Sequence, residues 1–249
     1  MRTIKGSRNV GIALQSVLFA ALVAGGVIGC AKTVSEQSSV VSNVQSGAAP
    51  AASGFFGSDL SLLQPGQEGQ AAMIYINPDV QWTQYSKVMI EPVQFWDDPD
   101  TKVSPSDQQV LTAYFYNQLK EELEKNFTIV DQGGPGVIDL QVALTNATSA
   151  TPGLRTVSVL VPQARILTAG ASLATGSYAF AGSAEAEMKA TDSASGQLLA
   201  GAIDKRSGGM SLSSAAQWQW GDAENAMNYW AEKISSRLLE LQGRAPASK

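Results

Sequence analysis

The single cysteine, Cys30, marks the boundary between an N-terminal segment and the part of the chain that can fold. It ends a segment that starts with three basic residues among its first eight positions, continues through an apolar stretch from Val10 to Ile28, and reaches Gly29. A basic start, an apolar middle and small residues at a cleavage point are typical of a secretory signal. We therefore predict that residues 1–29 are removed and take no part in the fold.

The residues around Cys30 resemble the lipobox of bacterial lipoproteins. In that motif the thiol is linked to diacylglycerol, and cleavage leaves the cysteine as the first residue, so the resemblance implies that Cys30 is a lipid attachment site. Ala31 follows it, whereas aspartate at that position tends to retain lipoproteins in the inner membrane of Gram-negative bacteria. The resemblance thus implies the periplasmic face of the outer membrane. An uncleaved anchor of about 20 apolar residues is the alternative, but three glycines interrupt the stretch, and Gly29 and then polar residues follow it.

The composition of the mature chain excludes some classes of fold and partner. Removal of residues 1–29 leaves 220 of the 249 residues, and Lys+Arg falls from 17 to 14 against 22 Asp+Glu. With Cys30 lipidated, no cysteine remains for a disulfide, so the hydrophobic core alone must stabilise the fold, which is feasible at this length. An acidic chain without a basic stripe argues against nucleic acid as a partner.

A polar segment separates the lipobox from the first large apolar residues. Residues 30–53 are rich in Ser, Gln and Ala, and such a segment buries too little apolar surface to offset the entropy lost on ordering. We predict that they form a lipidated N-terminus and a flexible tether with a root-mean-square span of roughly 25–30 Å. The folded domain is predicted to cover residues 54–249, beginning just before Phe55 and Phe56.

Two amphipathic helices are predicted within this domain. The first begins with Ser104, which is suited to cap exposed backbone N–H groups, and Pro105, which fits the first helical position. It runs to about Lys125. The second begins near Asp222 and has apolar residues spaced by three and four along one stripe. Trp230 falls on that stripe, so we predict that its side chain is buried.

The predicted strands are short segments with alternating or β-branched residues. They are Met73–Ile76, Lys87–Glu91, Phe127–Val130, Val137–Leu144, Ala184–Ala190 and Leu198–Ile203. The run Gly133–Gly136 predicts a tight turn that joins the third and fourth of these strands as a hairpin. Residues 151–177 are predicted to be irregular or protruding, and residues 204–217 are predicted to form a polar loop. This order indicates a single α+β domain with a mainly antiparallel sheet and two amphipathic helices on one side.

The sequence offers few groups for catalysis or metal binding. Histidine is absent, which excludes Ser-His-Asp triads and most zinc sites. The acidic run from Asp97 to Asp100 supplies oxygens that calcium prefers, but it lacks the rest of an EF-hand loop, so we expect a solvated loop. Glu185 and Glu187 share a predicted strand face about 7 Å apart, a spacing that a glycosidase pair could use, although an outward strand face also favours charge. We predict a protein that is not an enzyme, with no catalytic, cofactor or metal residues.

Several of these segments together resemble a known family. They are Lys87–Val93 followed by a tryptophan, Val130–Val137, Ala143–Ala147, Glu185–Met188 with Asp192–Gly196, and Trp220–Asp222 with Trp230–Glu232. As a set they are similar to the bacterial lipoprotein family named domain of unknown function 3313, over about residues 54–241. The resemblance implies an envelope lipoprotein and supplies no activity.

Two classes of function remain open from the sequence. The first is a non-enzymatic interaction or scaffold module, anchored in the outer membrane through Cys30, with an envelope protein or peptidoglycan as its partner. The second is a glycan- or lipid-binding module that uses Trp218, Trp220 and residues 156–176, since aromatic clusters are common anchors for partners. An apolar pocket would favour the second class, and a flat surface over a filled core would favour the first.

Overall fold

The computed structural model describes residues 33–46, 54–96, 102–149, 182–208 and 219–245. Several residues singled out in the sequence lie outside these ranges, namely residues 1–29, Cys30, the acidic run Asp97–Asp100, residues 151–177 and Trp218. The predictions about those residues stay predictions.

The strands of the described residues join into one sheet. They are β1 Thr33–Ser35, β2 Gln64–Pro65, β3 Met73–Ile76, β4 Lys87–Ile90, β5 Gln94–Phe95, β6 Thr128–Ile129, β7 Val137–Thr148, β8 Ser183–Asp192 and β9 Leu198–Gly208. The helices that pack against this sheet are α1 Gln37–Ser46, α2 Pro105–Leu123 and α3 Gly221–Leu241, with short 3-10 helices at Gly57–Leu62 and Trp82–Gln84.

The sheet is mixed and mainly antiparallel. Its order is β2-β3-β9-β8-β7-β4-β6, and β1 pairs with β9 and β5 with β7. The long strands β7, β8 and β9 are antiparallel neighbours, whereas β4 is parallel to both β6 and β7. Parallel pairing needs a crossover, and α2 supplies it between β4 and β6. The predicted α+β class with a mainly antiparallel sheet is confirmed.

The predicted hairpin between the strands around the turn Gly133–Gly136 is wrong. Strand β4 lies between β6 and β7, with Val88 opposite Ile129 on one side and Ile138 on the other. Gly136 has a φ of 73°, and a Cβ there would lie 2.9 Å from the carbonyl oxygen of Gln84. The turn therefore contacts the residues that lead into β4. Strand β4, from earlier in the chain, lies between β6 and β7, the two strands that the turn connects.

Helices α2 and α3 pack on one face of the sheet and build the main core, as predicted. Ser104 caps α2, because its Oγ accepts a hydrogen bond of 3.2 Å from the backbone N–H of Asp107. The apolar face of α2 is fully buried at Leu111 and Phe115. Trp230 of α3 is also buried, with its ring 5.8 Å from that of Phe115, so the prediction for Trp230 is confirmed.

The opposite face of the sheet is covered in part by residues that the sequence assigned to a tether. A second core forms there from α1, the segment 55–63 and sheet residues. Val40 of α1 is 1% exposed, and Phe56 packs so closely that a Cβ on Gly201 would meet its ring at 2.8 Å. Both faces of the sheet are therefore covered.

The flexible tether predicted for residues 30–53 is wrong for residues 33–46. Strand β1 pairs with β9, with Thr33 opposite Gly208, because β9 continues to Gly208 where a loop from residue 204 was predicted. Glu36 then forms an ion pair of 3.0 Å with Lys205. The polar composition gave no hint of this order, because the stabilising contacts come from β9 and not from the segment itself.

Candidate functional site

The described residues enclose an apolar cleft between the C-terminal half of α3 and the sheet. We call it the helix–edge cleft, and its volume is about 260 Å³. Strands β3, β8 and β9 form its floor and α3 forms its wall. The apolar side chains that define it are Ile74, Ile76, Ala200, Ala202, Ile234 and Leu241.

Small residues on adjacent strands create the space in the cleft. Ala190 of β8 lies directly opposite Ala200 of β9, and Ala202 follows on the same face of the sheet. Opposite side chains on such a pair are separated by about 5 Å, so three alanines together leave a shallow depression. Ile234 of α3 lies over this region and is only partly buried. The helix thus bridges the depression without filling it.

A buried polar group closes one part of the cleft. Asp204 is 1% exposed, and its Oδ2 accepts a hydrogen bond of 2.8 Å from the indole Nε1 of Trp230. Its Oδ1 accepts from the backbone N–H of Ala72 at 3.2 Å, and the guanidinium of Arg206 lies 3.5 Å away. Burial raises the pKa of Asp204, while the hydrogen bond from Trp230 and the charge of Arg206 act in the opposite direction. Both carboxyl oxygens are therefore engaged within the protein.

Basic and aromatic side chains form the outer rim of the cleft. Lys233 and Arg237 of α3 are exposed one turn apart, and both line the cleft. Arg237 forms an ion pair of 2.8 Å with Glu240, whereas the ammonium group of Lys233 lies 5.5 Å from the centre of the Tyr229 ring. The rim can therefore offer positive charge next to an apolar interior.

Glu185 and Glu187 do not form the solvated pair that the sequence predicted. Glu187 is 1% exposed, and its neighbours across the strands are Ala143 and Ile203 of the second core. Burial raises the pKa of Glu187 to about 8, the charge of Glu185 adds to this rise, and Lys189 opposes it. The alternation correctly placed both carboxyls on one face, but the N-terminal segment covers that face. A substrate has no access to Glu187, so the pair does not have the geometry of a glycosidase site.

The charged residues around this pair fasten the N-terminal segment to the sheet. Lys189 donates a hydrogen bond of 3.0 Å to the carbonyl oxygen of Phe55. Glu185 is partly buried, and burial raises its pKa, with the charge of Lys205 acting to lower it and that of Glu36 to raise it. This face is thus a structural contact between the sheet and residues 33–63.

Arg206 is also structural and does not belong to the polar loop predicted for residues 204–217. It lies in β9 with 7% exposure, donates a hydrogen bond of 2.9 Å to Thr33 Oγ1, and stacks 3.7 Å from the centre of the Tyr229 ring. Both contacts connect β9 with its neighbours β1 and α3.

The chain matches the family model described as protein of unknown function, DUF3313, over residues 51–234. The chain belongs to this family. A comparison with curated proteins found no match.

Three solved structures with some likeness to this DUF3313 protein have low similarity to it. The PelC dodecamer of Paraburkholderia phytofirmans shares 11% identity at a TM-score of 0.37, covering 64% of this chain and 94% of that chain. A Xanthomonas campestris protein of family DUF330 shares 13% identity at 0.38, covering 68% and 92%. A proposed lipoprotein from Caulobacter crescentus shares 16% identity at 0.31, covering 67% and 96%. At these TM-scores none of the three assigns a role to the DUF3313 protein.

The tryptophan site proposed from the sequence is only partly within the described residues. Trp220 is 4% exposed and belongs to the main core, so it is not available for stacking on a ligand. Trp218 and residues 156–176 lie outside the described ranges. Sequence reasoning missed the helix–edge cleft, although the alternating alanines around Ala200 and Ala202 were a possible signal.

Metal and membrane features can be assessed for the same ranges. The described residues contain no group of three or more acidic, histidine or cysteine side chains placed to hold a metal ion. Among the helices of that part of the chain, none combines the length and the apolar character needed to span a bilayer.

Proposed function

We propose that this DUF3313 protein is a lipid-anchored, non-enzymatic binding protein of the cell envelope, held on the periplasmic face of the outer membrane through Cys30. We further propose that it binds a lipid-like ligand, with an apolar chain and an anionic group, in the helix–edge cleft. The observation that carries this proposal is the cleft itself, an apolar depression of about 260 Å³ beside a rim that carries Lys233 and the Arg237–Glu240 ion pair.

The size and chemistry of the cleft support an acyl chain more than a sugar. Small-molecule pockets commonly have volumes of about 300–1,000 Å³, so this cleft is suited to a narrow ligand. A sugar needs several polar partners, but the buried polar groups of the lining, Trp230 and Asp204, already bind each other. Lys233 at the rim is placed to attract an anionic head group. These features support a lipid, and not a glycan, as the ligand of the cleft.

The described carboxyl groups also support a role without catalysis. Active-site acids commonly have shifted pKa values and lie in a cleft. Asp204 adjoins the cleft, but both its oxygens accept hydrogen bonds from the protein. Glu187 has a raised pKa, but it is enclosed in the second core. Neither acid combines a shifted pKa with access to a substrate.

A scaffold role with an envelope protein or peptidoglycan has weaker support. Interaction surfaces commonly contain contiguous apolar patches. Among the described residues the large apolar side chains that are exposed are Leu62 and Val110, which lie in different elements. Crosslinking in cells followed by recovery of the lipoprotein would test this second role.

The cleft is tested with a fluorescent fatty acid, 11-(dansylamino)undecanoic acid, and the soluble mature chain, residues 30–249 with Cys30→Ser. We expect saturable binding with a blue shift of the dansyl emission. Ala200→Leu should weaken binding by about tenfold or more, because it fills the floor, while Ala113→Leu on the exposed side of α2 should leave it unchanged. Equal binding by wild type and Ala200→Leu would exclude the cleft as the site.

The rim and the anchor are tested separately. Lys233→Glu should weaken binding of the anionic probe while leaving a neutral dansyl amide of the same chain length unaffected, and Lys120→Glu on α2 is the matched control. For the anchor, Cys30→Ser in the full-length chain should abolish palmitate labelling in cells and leave precursor or a soluble form. Palmitate labelling that persists in this variant would contradict the anchor.

A further inference from the structure

The start of β1 lies very near Cys30 in the chain. Thr33 is the third residue after Cys30, and it is fixed opposite Gly208 at the end of β9. An extended chain spans at most about 3.6 Å per residue, so the three residues from Cys30 to Thr33 can reach no farther than about 11 Å. A lipid on Cys30 would therefore hold this point of the domain close to the bilayer.

Several strand ends meet at the same place, which we call the anchor end. Thr148 of β7 pairs with Ser183 of β8, and Ser183 pairs with Ser207 beside Gly208. The start of α3 is there too, because the backbone N–H of Gly182 donates a hydrogen bond of 2.8 Å to Asp222. The anchor end thus brings together the start of β1, the ends of β7 and β9, the start of β8 and the start of α3.

The other end of the sheet, which we call the turn end, is the turn from Asp192 to Gly196 between β8 and β9. Strand β8 runs ten residues from the anchor end to this turn, a distance of roughly 30 Å at the rise of a strand. The C-terminus of α3 lies there as well, since Gln242 donates to the carbonyl oxygen of Tyr85 and the Tyr85 hydroxyl binds Asp192 at 2.8 Å.

We propose that the anchor end rests on the bilayer surface and that the turn end points away from it. This inference depends on the lipid anchor of the proposed function. The partner is a lipid head-group surface. The chain from Cys30 to Thr33 reaches at most about 11 Å, which is much shorter than the span of roughly 25–30 Å expected for a flexible tether over residues 30–53, so the anchor end must stay near the bilayer.

The orientation also determines where the helix–edge cleft opens. Helix α3 begins at Gly221 near the anchor end, and its residues Ile234 to Leu241 line the cleft. At a rise of about 1.5 Å per residue these positions lie roughly 20–30 Å along the helix from its start. The part of the cleft formed by Ile234 and Leu241 therefore lies on the side away from the anchoring membrane, whereas Tyr229, about 12 Å along α3 from its start, marks the nearer end of the cleft.

The orientation is tested on the full-length lipidated protein in vesicles of phosphatidylethanolamine and phosphatidylglycerol that contain a spin-labelled head group. Since Cys30 is the only cysteine and its thiol carries the lipid, one introduced cysteine gives one labelling site. Ser149→Cys marks the anchor end and Ala194→Cys marks the turn end, and both positions are exposed. We expect a bimane label to be quenched at least about threefold more at Ser149→Cys, because roughly 30 Å separates the two ends.

A variant with a longer linker between the anchor and β1 provides the matched comparison. Twenty Gly/Ser residues inserted after Ala31 add a span of about 25 Å, so quenching at Ser149→Cys should fall to the level seen at Ala194→Cys. Equal quenching of both labels without the insertion, in protein that sediments with the vesicles, would overturn the orientation. Protein that does not sediment with the vesicles would show instead that the anchor of the proposed function is absent, and the orientation would fall with it.

Discussion

Glu187 connects the stability of the domain to pH, because it is a buried acid under the N-terminal segment. Its side chain is 1% exposed, and its Oε2 atom has no hydrogen-bond partner among the described residues. The charged groups that act on it are Glu185 and Lys189 of the same strand. Beyond them, Lys205 of β9 and Glu36 before α1 act on Glu185.

The expected effect follows from the raised pKa. Burial raises the pKa of Glu187 from 4.5 to about 8. Between these two values the folded protein keeps the proton and the unfolded chain loses it, so stability falls as the pH rises. The stabilising effect of the proton is fully present below about pH 4.5 and is lost by about pH 8. Each pKa unit corresponds to about 1.4 kcal/mol of unfolding free energy. The shift therefore sets an upper bound near 5 kcal/mol on the stability lost as the pH rises, and we expect a loss of about 2–4 kcal/mol after relaxation of the site.

The test is the substitution Glu187→Gln, which keeps the shape of the side chain and removes its titration. Urea unfolding of the soluble mature chain at pH 5, 7 and 8.5 gives the free energy of unfolding at each pH. From pH 5 to 8.5 the variant should gain about 2–4 kcal/mol relative to wild type. Glu124→Gln, at an exposed position after α2, should follow the wild-type profile. Parallel profiles for wild type and Glu187→Gln would refute the assignment of a buried, protonated Glu187.

Two further predictions concern packing and use the same soluble chain. Val40→Asp places a charge in the second core and should lower the free energy of unfolding in urea by about 2–4 kcal/mol, whereas Ser42→Asp on the exposed side of α1 should change it little; equal stability of the two variants would mean that α1 does not pack on the sheet. Trp230→Ala removes a buried side chain and its hydrogen bond to Asp204, and should cost about 3–5 kcal/mol in thermal unfolding; a melting temperature unchanged from wild type would contradict the packing of α3.

Local rules in the sequence were sufficient for the two long helices. The Ser104 cap is made by a side chain three residues from the N–H group that it binds, so the signal is complete within one turn. The burial of Leu111 and Phe115 follows from their spacing of four residues. Trp230 follows the same rule in α3. Such features depend on near neighbours, and the sequence displays them directly.

The ordered structure of residues 33–46, a strand and a helix packed on the sheet, could not be predicted from such local rules. Their composition offers little apolar surface, and the free energy that orders them comes from pairing with β9 and from packing of Val40 in the second core. Thr33 and Gly208 are far apart in the chain, so no local pattern reveals their pairing. The same distance effect explains the hairpin error, because β4 entered between β6 and β7 from an earlier part of the chain.

The sequence by itself determined which residues share a face, and the tertiary structure decided what covers each face. The alternation of β8 placed Glu185 and Glu187 together correctly, but only the docking of the N-terminal segment made Glu187 a buried acid. The helix–edge cleft likewise requires Ala190, Ala200 and Ile234 to meet from three elements. The spacing of side chains on one face of a strand or helix is fixed by backbone geometry within a few residues. The segment that covers a face is chosen by contacts between distant parts of the chain, and the entropic cost and energetic gain of those contacts are set only in the assembled fold.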